Sequence, residues 1–172
     1  KPPINTIWDP NNPTNPSYSY YAKELSIAQG ISTDNTTAGL YFGNESFSGN
    51  LAGKNRYVNG NVTISGDLTV GSGPVNIVAT GNIILYNKDI NDKRISLISG
   101  KSIALDTNVQ ACRSSDDEGC LFYASGSTTD DSAAILVSVT SEVKGGLLTP
   151  ANTAPRRNTV DVVGSNQGLI YT

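Results

Sequence analysis

The feature that most constrains this chain is an internal repeat. The segments VNIVATGNIIL (75–85) and ISLISGKSIAL (95–105) superimpose without a gap. Val75 falls on Ile95, Ile77 on Leu97, Val78 on Ile98, Ile83 on Ile103 and Leu85 on Leu105; the glycine shifts by one, Gly81 against Gly100. Each unit reads as a short strand, a tight glycine turn and a second short strand. One such unit cannot bury its apolar face alone, but stacked units can, and a period near twenty residues is that of one β-helix coil. Two plain hairpins in an antiparallel sandwich would leave the same local pattern, and that alternative stays open at this stage.

The flanking sequence extends the β reading. YVNGNVTISGDLTV (57–70) alternates apolar and polar residues with period two, which predicts a strand with one buried face. Gly60 and Gly66 fall on the inward set, where a bend is tolerated. Residues 106–132 interrupt the pattern and read as a long irregular loop leaving the coil. AAILVSVT (133–140) resumes as a strand, 143–148 continues after a turn, and Val160, Val162 and Val163 mark a last strand. In 31–56 the expected buried points are Leu40, Tyr41, Phe42 and Phe47.

Upstream, residues 18–29 are the good helix candidate. Tyr21, Leu25 and Ala28 share a face, Ser17 or Ser19 would cap it, and Gly30 would end it. A helix there would cover an open end of the coil. Residues 1–17 hold five of the eight prolines and read as an extended linker or a strap that Trp8 would pin to the fold, a mobile tail being the open alternative. The whole is therefore expected to be one mainly β domain (1–172): strap 1–17, helix 18–29, and a β-solenoid core over 57–172 with a disulfide-containing loop at 106–132.

Composition narrows the function. Only 16% of residues are charged and 37% are hydrophobic, the balance being rich in Ser, Thr, Asn and Gly, as suits turn-rich β structure. The net charge is −3 and the largest basic cluster is Arg156–Arg157, so no nucleic-acid groove is expected. No apolar run reaches membrane-spanning length. The chain lacks Met and begins at Lys1, which reads as a processed or excised form.

Histidine is absent, which removes Ser-His-Asp catalysis and any histidine metal site. Cys112 and Cys120 bracket RSSDDEG and are expected to pair, in an oxidising compartment. Asp116, Asp117, Glu118, Asp130 and Asp131 are the calcium candidates, although neither an EF-hand spacing nor a Gly-Gly-x-Gly-x-Asp repeat is present; a solvated acidic loop is the plainer reading. Asp89, Asp92, Lys93 and Arg94 form a charged turn that could line a polysaccharide-cleaving face but suits a solvated inter-coil turn better. No cofactor is called for. Asn35, Asn44 and Asn61 open three N-glycosylation sequons.

The run YVNGNVTISGDLTV, then VNIVATGNIILYNKDI, then ISLISGKSIAL, preceded by SYYAKELSIAQG, resembles bacterial PilX-type or pilin-like surface proteins that carry a β-solenoid. The resemblance covers 17–105 well and 133–165 loosely. It implies a membrane-anchoring helix upstream and a minor-pilin-like role in type IV pilus assembly, adhesion or DNA uptake. It carries over no catalytic residue and does not include the cysteine loop. Bactofilins, cytoplasmic filament proteins, also show ISGDLTV-like strands and are the weaker match. The expected function is thus a non-enzymatic extracellular structural or adhesive domain, its partners being other pilus or surface proteins and a host surface, abiotic surface or glycan. A polysaccharide-binding or -cleaving β-helix and a self-assembling filament subunit are the alternatives.

Overall fold

A computed structural model describes residues 16–51, 54–69, 75–86, 89–90, 95–106, 108–111, 120–126, 131–143, 145–150, 157–166 and 170–171. The chain enters as helix α1 (Pro16–Gln29), followed by a single 3-10 turn (Thr36–Ala38). Then come β1 (Leu40–Phe42), β2 (Glu45–Asn50), β3 (Arg56–Asn59), β4 (Val62–Thr69), β5 (Val75–Ala79), β6 (Ile83–Leu85), β7 (Asp89–Ile90), β8 (Ile95–Ser99) and β9 (Ile103–Leu105). The remainder are β10 (Gln110–Ala111), β11 (Cys120–Ala124), β12 (Asp131–Val137), β13 (Glu142–Val143), β14 (Gly145–Leu148), β15 (Arg157–Val162), β16 (Ser165–Asn166) and β17 (Ile170–Tyr171).

Every strand pairs in parallel with the equivalent strand one coil away, so the chain is a β-solenoid and not a pair of antiparallel hairpins. The first face stacks β1-β3-β5-β8-β11-β14-β17. The second stacks β6, β9, β12 and β15 onto the leading half of β4, which also pairs β2. The third runs from the trailing half of β4 through β7, β10, β13 and β16. Along the first face the register steps from Tyr57 to Val78 to Ile98 at nearly constant spacing, then by longer steps to Tyr123 and Leu148.

The core is a set of inward columns. Ile77, Leu97, Phe122 and Leu147 lie over one another from the first face. Val62, Ile83, Ile103 and Ile135 meet them from the second, with Ile64, Leu85, Leu105 and Val137 alongside. All of these side chains are sealed from solvent. Burying each such side chain stabilises the fold by about 1.5–3 kcal/mol before entropy is counted, and each does so only because its neighbour in the next coil is present. On the third face the column Ala111, Val143 ends at Asn166, whose buried Nδ2 and Oδ1 have no hydrogen-bond partner among the described residues.

Several expectations are corrected. The run 57–70 is not one strand: it turns at Gly60–Asn61 between β3 and β4. A Cβ on Gly60 would lie 2.3 Å from Gly43 O in the coil before, so the corner can stack only without a side chain there. The long loop expected over 106–132 contains two strands of the coil, β10 and β11, and Ala111, Cys120, Phe122 and Ala124 join the core. The lengthening of this coil destroys the superposition seen upstream while leaving the inward positions intact. Phe42 is not buried but 55% exposed, whereas Tyr41 packs edge-on against Phe47, ring centroids 5.3 Å apart. The proline-rich strap and Trp8 lie outside the described residues.

Helix α1 starts at Pro16, so Ser17 and Ser19 fall inside it and cannot cap it. Proline at a first helical turn loses no hydrogen bond and presets φ. The helix also does not cover an open end. It lies across the outside of the first face, against β3, β5 and β8.

Candidate functional site

Two constructions on the solenoid surface bring functional side chains together. The first is the seat of α1. On the first face Val78, Ile98 and Tyr123 point away from the core yet are buried, because α1 covers them. They form an outward column running Tyr57, Val78, Ile98, Tyr123, Leu148. Ala28, fully buried, packs on this column together with Tyr21 and Leu25, the three residues whose helical spacing predicted that face. Tyr21 stacks flat on Tyr123, ring centroids 4.2 Å apart and planes within 1°.

Polar bonds fasten both sides of the helix. The Tyr57 hydroxyl donates to Glu24 Oε2 at 2.7 Å, and Asn76 Nδ2 donates to Tyr20 OH at 2.8 Å. Asn59 Nδ2 donates to Ile31 O at 2.9 Å just past the helix end. Glu24 is 8% exposed, and its charge shapes the tyrosines around it. Burial, then the bond to Glu24 and its charge, push the Tyr57 phenol up to about 12. Burial and the Glu24 charge also raise Tyr20, against a lowering by the Asn76 bond. Glu24, Tyr20 and Asn76 were not singled out in the sequence; the available signal was Val78 and Ile98 themselves, an apolar residue on the polar side of each repeat.

The second construction is the corner between the first two faces. Asn44 Oδ1 accepts from Asn61 N at 2.9 Å, Asn61 Oδ1 from Asn82 N at 2.8 Å, and Asn82 Oδ1 from the Ser102 hydroxyl at 2.8 Å. Each side chain thereby binds the coil that follows. The signal for it is a Gly-Asn dipeptide at 43–44, 60–61 and 81–82. The glycine is required by close approach: a Cβ on Gly81 would lie 2.2 Å from Asn61 Oδ1. Two of the three sequon asparagines, Asn44 and Asn61, are thus neighbours on successive coils. Asn35 sits apart, its Oδ1 accepting from Ala38 N at 3.2 Å.

The solenoid's first coil is closed on its outer side. Asn35 exchanges both backbone bonds with Leu40, at 2.8 and 2.9 Å, and Asp34 Oδ1 accepts from Phe42 N at 2.7 Å. These bonds occupy Leu40 N, Leu40 O and Phe42 N on the outer side of β1, a common way to keep an edge strand from pairing with another chain. In β2 the register shifts between Phe47 and Gly49, and Gly49 has φ +73°, a bulge that also disfavours edge pairing. Leu51, 3% exposed, packs over the core at this end.

The remaining sequence candidates are not assembled into a site. Asp116, Asp117, Glu118 and Asp130 lie outside the described residues, as do Asp92, Lys93 and Arg94. Asp131 opens β12 and Asp89 opens β7. In sequence, 116–118 precede β11 and 130–131 follow it. Among the described residues no three His, Cys, Asp or Glu side chains could hold a metal ion together. Cys120 is buried at the head of β11, and Cys112 lies outside the described residues. Among the described residues no helix is long and apolar enough to cross a membrane. No family model, curated protein or solved structure matches the chain.

Proposed function

We propose that this chain is a non-enzymatic structural or adhesive domain displayed outside the cell, within a pilus-like or other surface assembly. The observation that carries the reading is mechanical. Parallel coils share continuous inward columns, α1 ties the coils from β3 to β11 across the outside, and the first coil is closed by Asn35 and Asp34. Such a body is a stiff spacer that holds its corner loops at fixed positions. The residue inventory agrees, since a chain without histidine has few routes to hydrolysis.

A Cys112–Cys120 bridge belongs to this reading. What supports it is the short polar stretch RSSDDEG between the two cysteines and the buried place of Cys120 at the head of β11. The pilin-like affiliation rests on the sequence motifs alone. Stacking of copies through the first coil, the simplest filament route, meets the closed edge of β1.

Immunogold electron microscopy on intact source cells, with antibody to the folded domain, tests the reading. Gold on filaments or at their tips is the expected result. Labelling only after permeabilisation would overturn it.

A further inference from the structure

The two stacked sequons differ in what surrounds them, and the difference selects one. Asn61 stands between two coils. Its backbone N–H donates to Asn44 Oδ1, its carbonyl accepts from Glu45 N, and its Oδ1 accepts from Asn82 N. The strand that follows it, β4, is paired with β2 on one side and β6 on the other. Asn35 is held too, by its two backbone bonds to Leu40. Asn44 leads into β2, which pairs only with β4 among the described residues. Asn44 and Asn61 are both exposed, but the third sequon residue is exposed at Ser46 and half-buried at Thr63; among the described residues the Ser46 hydroxyl meets the exposed Ser65 hydroxyl, at 3.2 Å.

The side chain of Asn44 is also oriented. Its Oδ1 is taken by Asn61 N, and its Nδ2 makes no hydrogen bond among the described residues. N-glycosylation uses Nδ2 and spares Oδ1, so a glycan there leaves the asparagine ladder intact. An acceptor tripeptide must also part from its neighbours to enter a transferase, and an edge segment opens at far lower cost than a strand paired on both sides.

We propose that Asn44 is an N-glycan attachment site of the folded protein and that Asn61 is not. Nδ2 attacks the anomeric carbon of a lipid-linked oligosaccharide. The new C–N bond replaces the C–O bond to the diphosphate, which leaves with the lipid, and the amide proton passes to the transferase. A glycan at this corner would project beside the closed first coil. Its occurrence in the cell rests on the exported placement proposed above, but transfer in vitro does not, so the two readings fail separately.

The test incubates the folded full-length chain with a single-subunit oligosaccharyltransferase and its lipid-linked donor. Intact mass and peptide mapping are then read for the chain and for S46A, T63A and T37A. Each substitution removes one sequon while leaving its asparagine, and hence the ladder, in place. The expected result is a gain of one glycan mass at Asn44, lost in S46A and retained in T63A and T37A. No gain on the folded chain, or a gain that survives S46A, overturns the proposal.

Discussion

The first and second faces of the solenoid are built from the same kind of strand but treat their outer sides differently. On the second face the outward residues Thr63, Ile84, Ala104, Leu136 and Asp161 are at least partly exposed and need no cover. On the first face the corresponding column, Val78, Ile98 and Tyr123, is buried under α1. The inner columns are alike. Outward apolar residues occur on both faces, Ile84 and Leu136 on the second as well as Val78 and Ile98 on the first, so what buries the first face's column is the helix seated on it.

Breaking an inner column should have the largest effect. Leu97→Ala removes a fully buried side chain between Ile77 and Phe122, and unfolding by denaturant should show a loss of about 2–5 kcal/mol. Tyr123→Ala should cost less, about 1.5–3 kcal/mol. It should also act differently, since hydrogen exchange of α1 amides should speed up while those of β5 and β8 stay protected. Equal loss of protection in helix and strands would mean that the two layers do not separate.

The Tyr57–Glu24 bond sharpens the same comparison. The fold holds the Tyr57 phenol protonated, raised from 10.0 to about 12. Its contribution is therefore complete below pH 10 and is lost as pH rises through about 12. Helix protection in wild type should fall across that window, and Tyr57→Phe should abolish this step while lowering stability at neutral pH by about 1–2 kcal/mol. A change of opposite sign is expected at the last described coil. Asn166→Val replaces a buried amide without a partner by the residue found at Val143, and should raise stability by about 1 kcal/mol. The smallest effect belongs to the uncovered face: Leu136→Thr should change stability by less than about 0.5 kcal/mol.

The sequence showed most clearly what repeats at constant spacing. Ile77/Leu97 and Ile83/Ile103 revealed the coil because both pairs share one offset. Phe122 and Leu147 occupy the same column as Leu97 but escaped notice, since the steps to them are longer than the step from Ile77 to Leu97. The alternation across 57–70 hid a corner, because period two survives when a chain turns at Gly60 and keeps its inward set. The helix face was readable from Tyr21, Leu25 and Ala28, but its seat was not: docking depends on which outward residues the stack brings into line. The asparagine ladder was present as Gly-Asn dipeptides, but the step from Asn44 to Asn61 is shorter than that from Asn61 to Asn82. A further Gly-Asn at 49–50 belongs to the bulged strand β2 and not to the ladder, so the dipeptides pass for turn composition. The sequons could be found by pattern, but only the pairing of β4 on both sides separates Asn61 from Asn44.

The central claim is that the coils stack in parallel, one strand per coil, from β2 to β15. Spin labels on Ser46 and Asp161 test it by electron–electron distance measurement, because these residues begin and end one outward column that passes through Thr63, Ile84, Ala104 and Leu136. The account predicts a single population near five strand spacings, about 24 Å, and a shorter separation near three spacings, about 14 Å, when the second label is on Ala104. A Ser46–Ala104 distance equal to or longer than Ser46–Asp161, or a broad distribution for both, would contradict the stack.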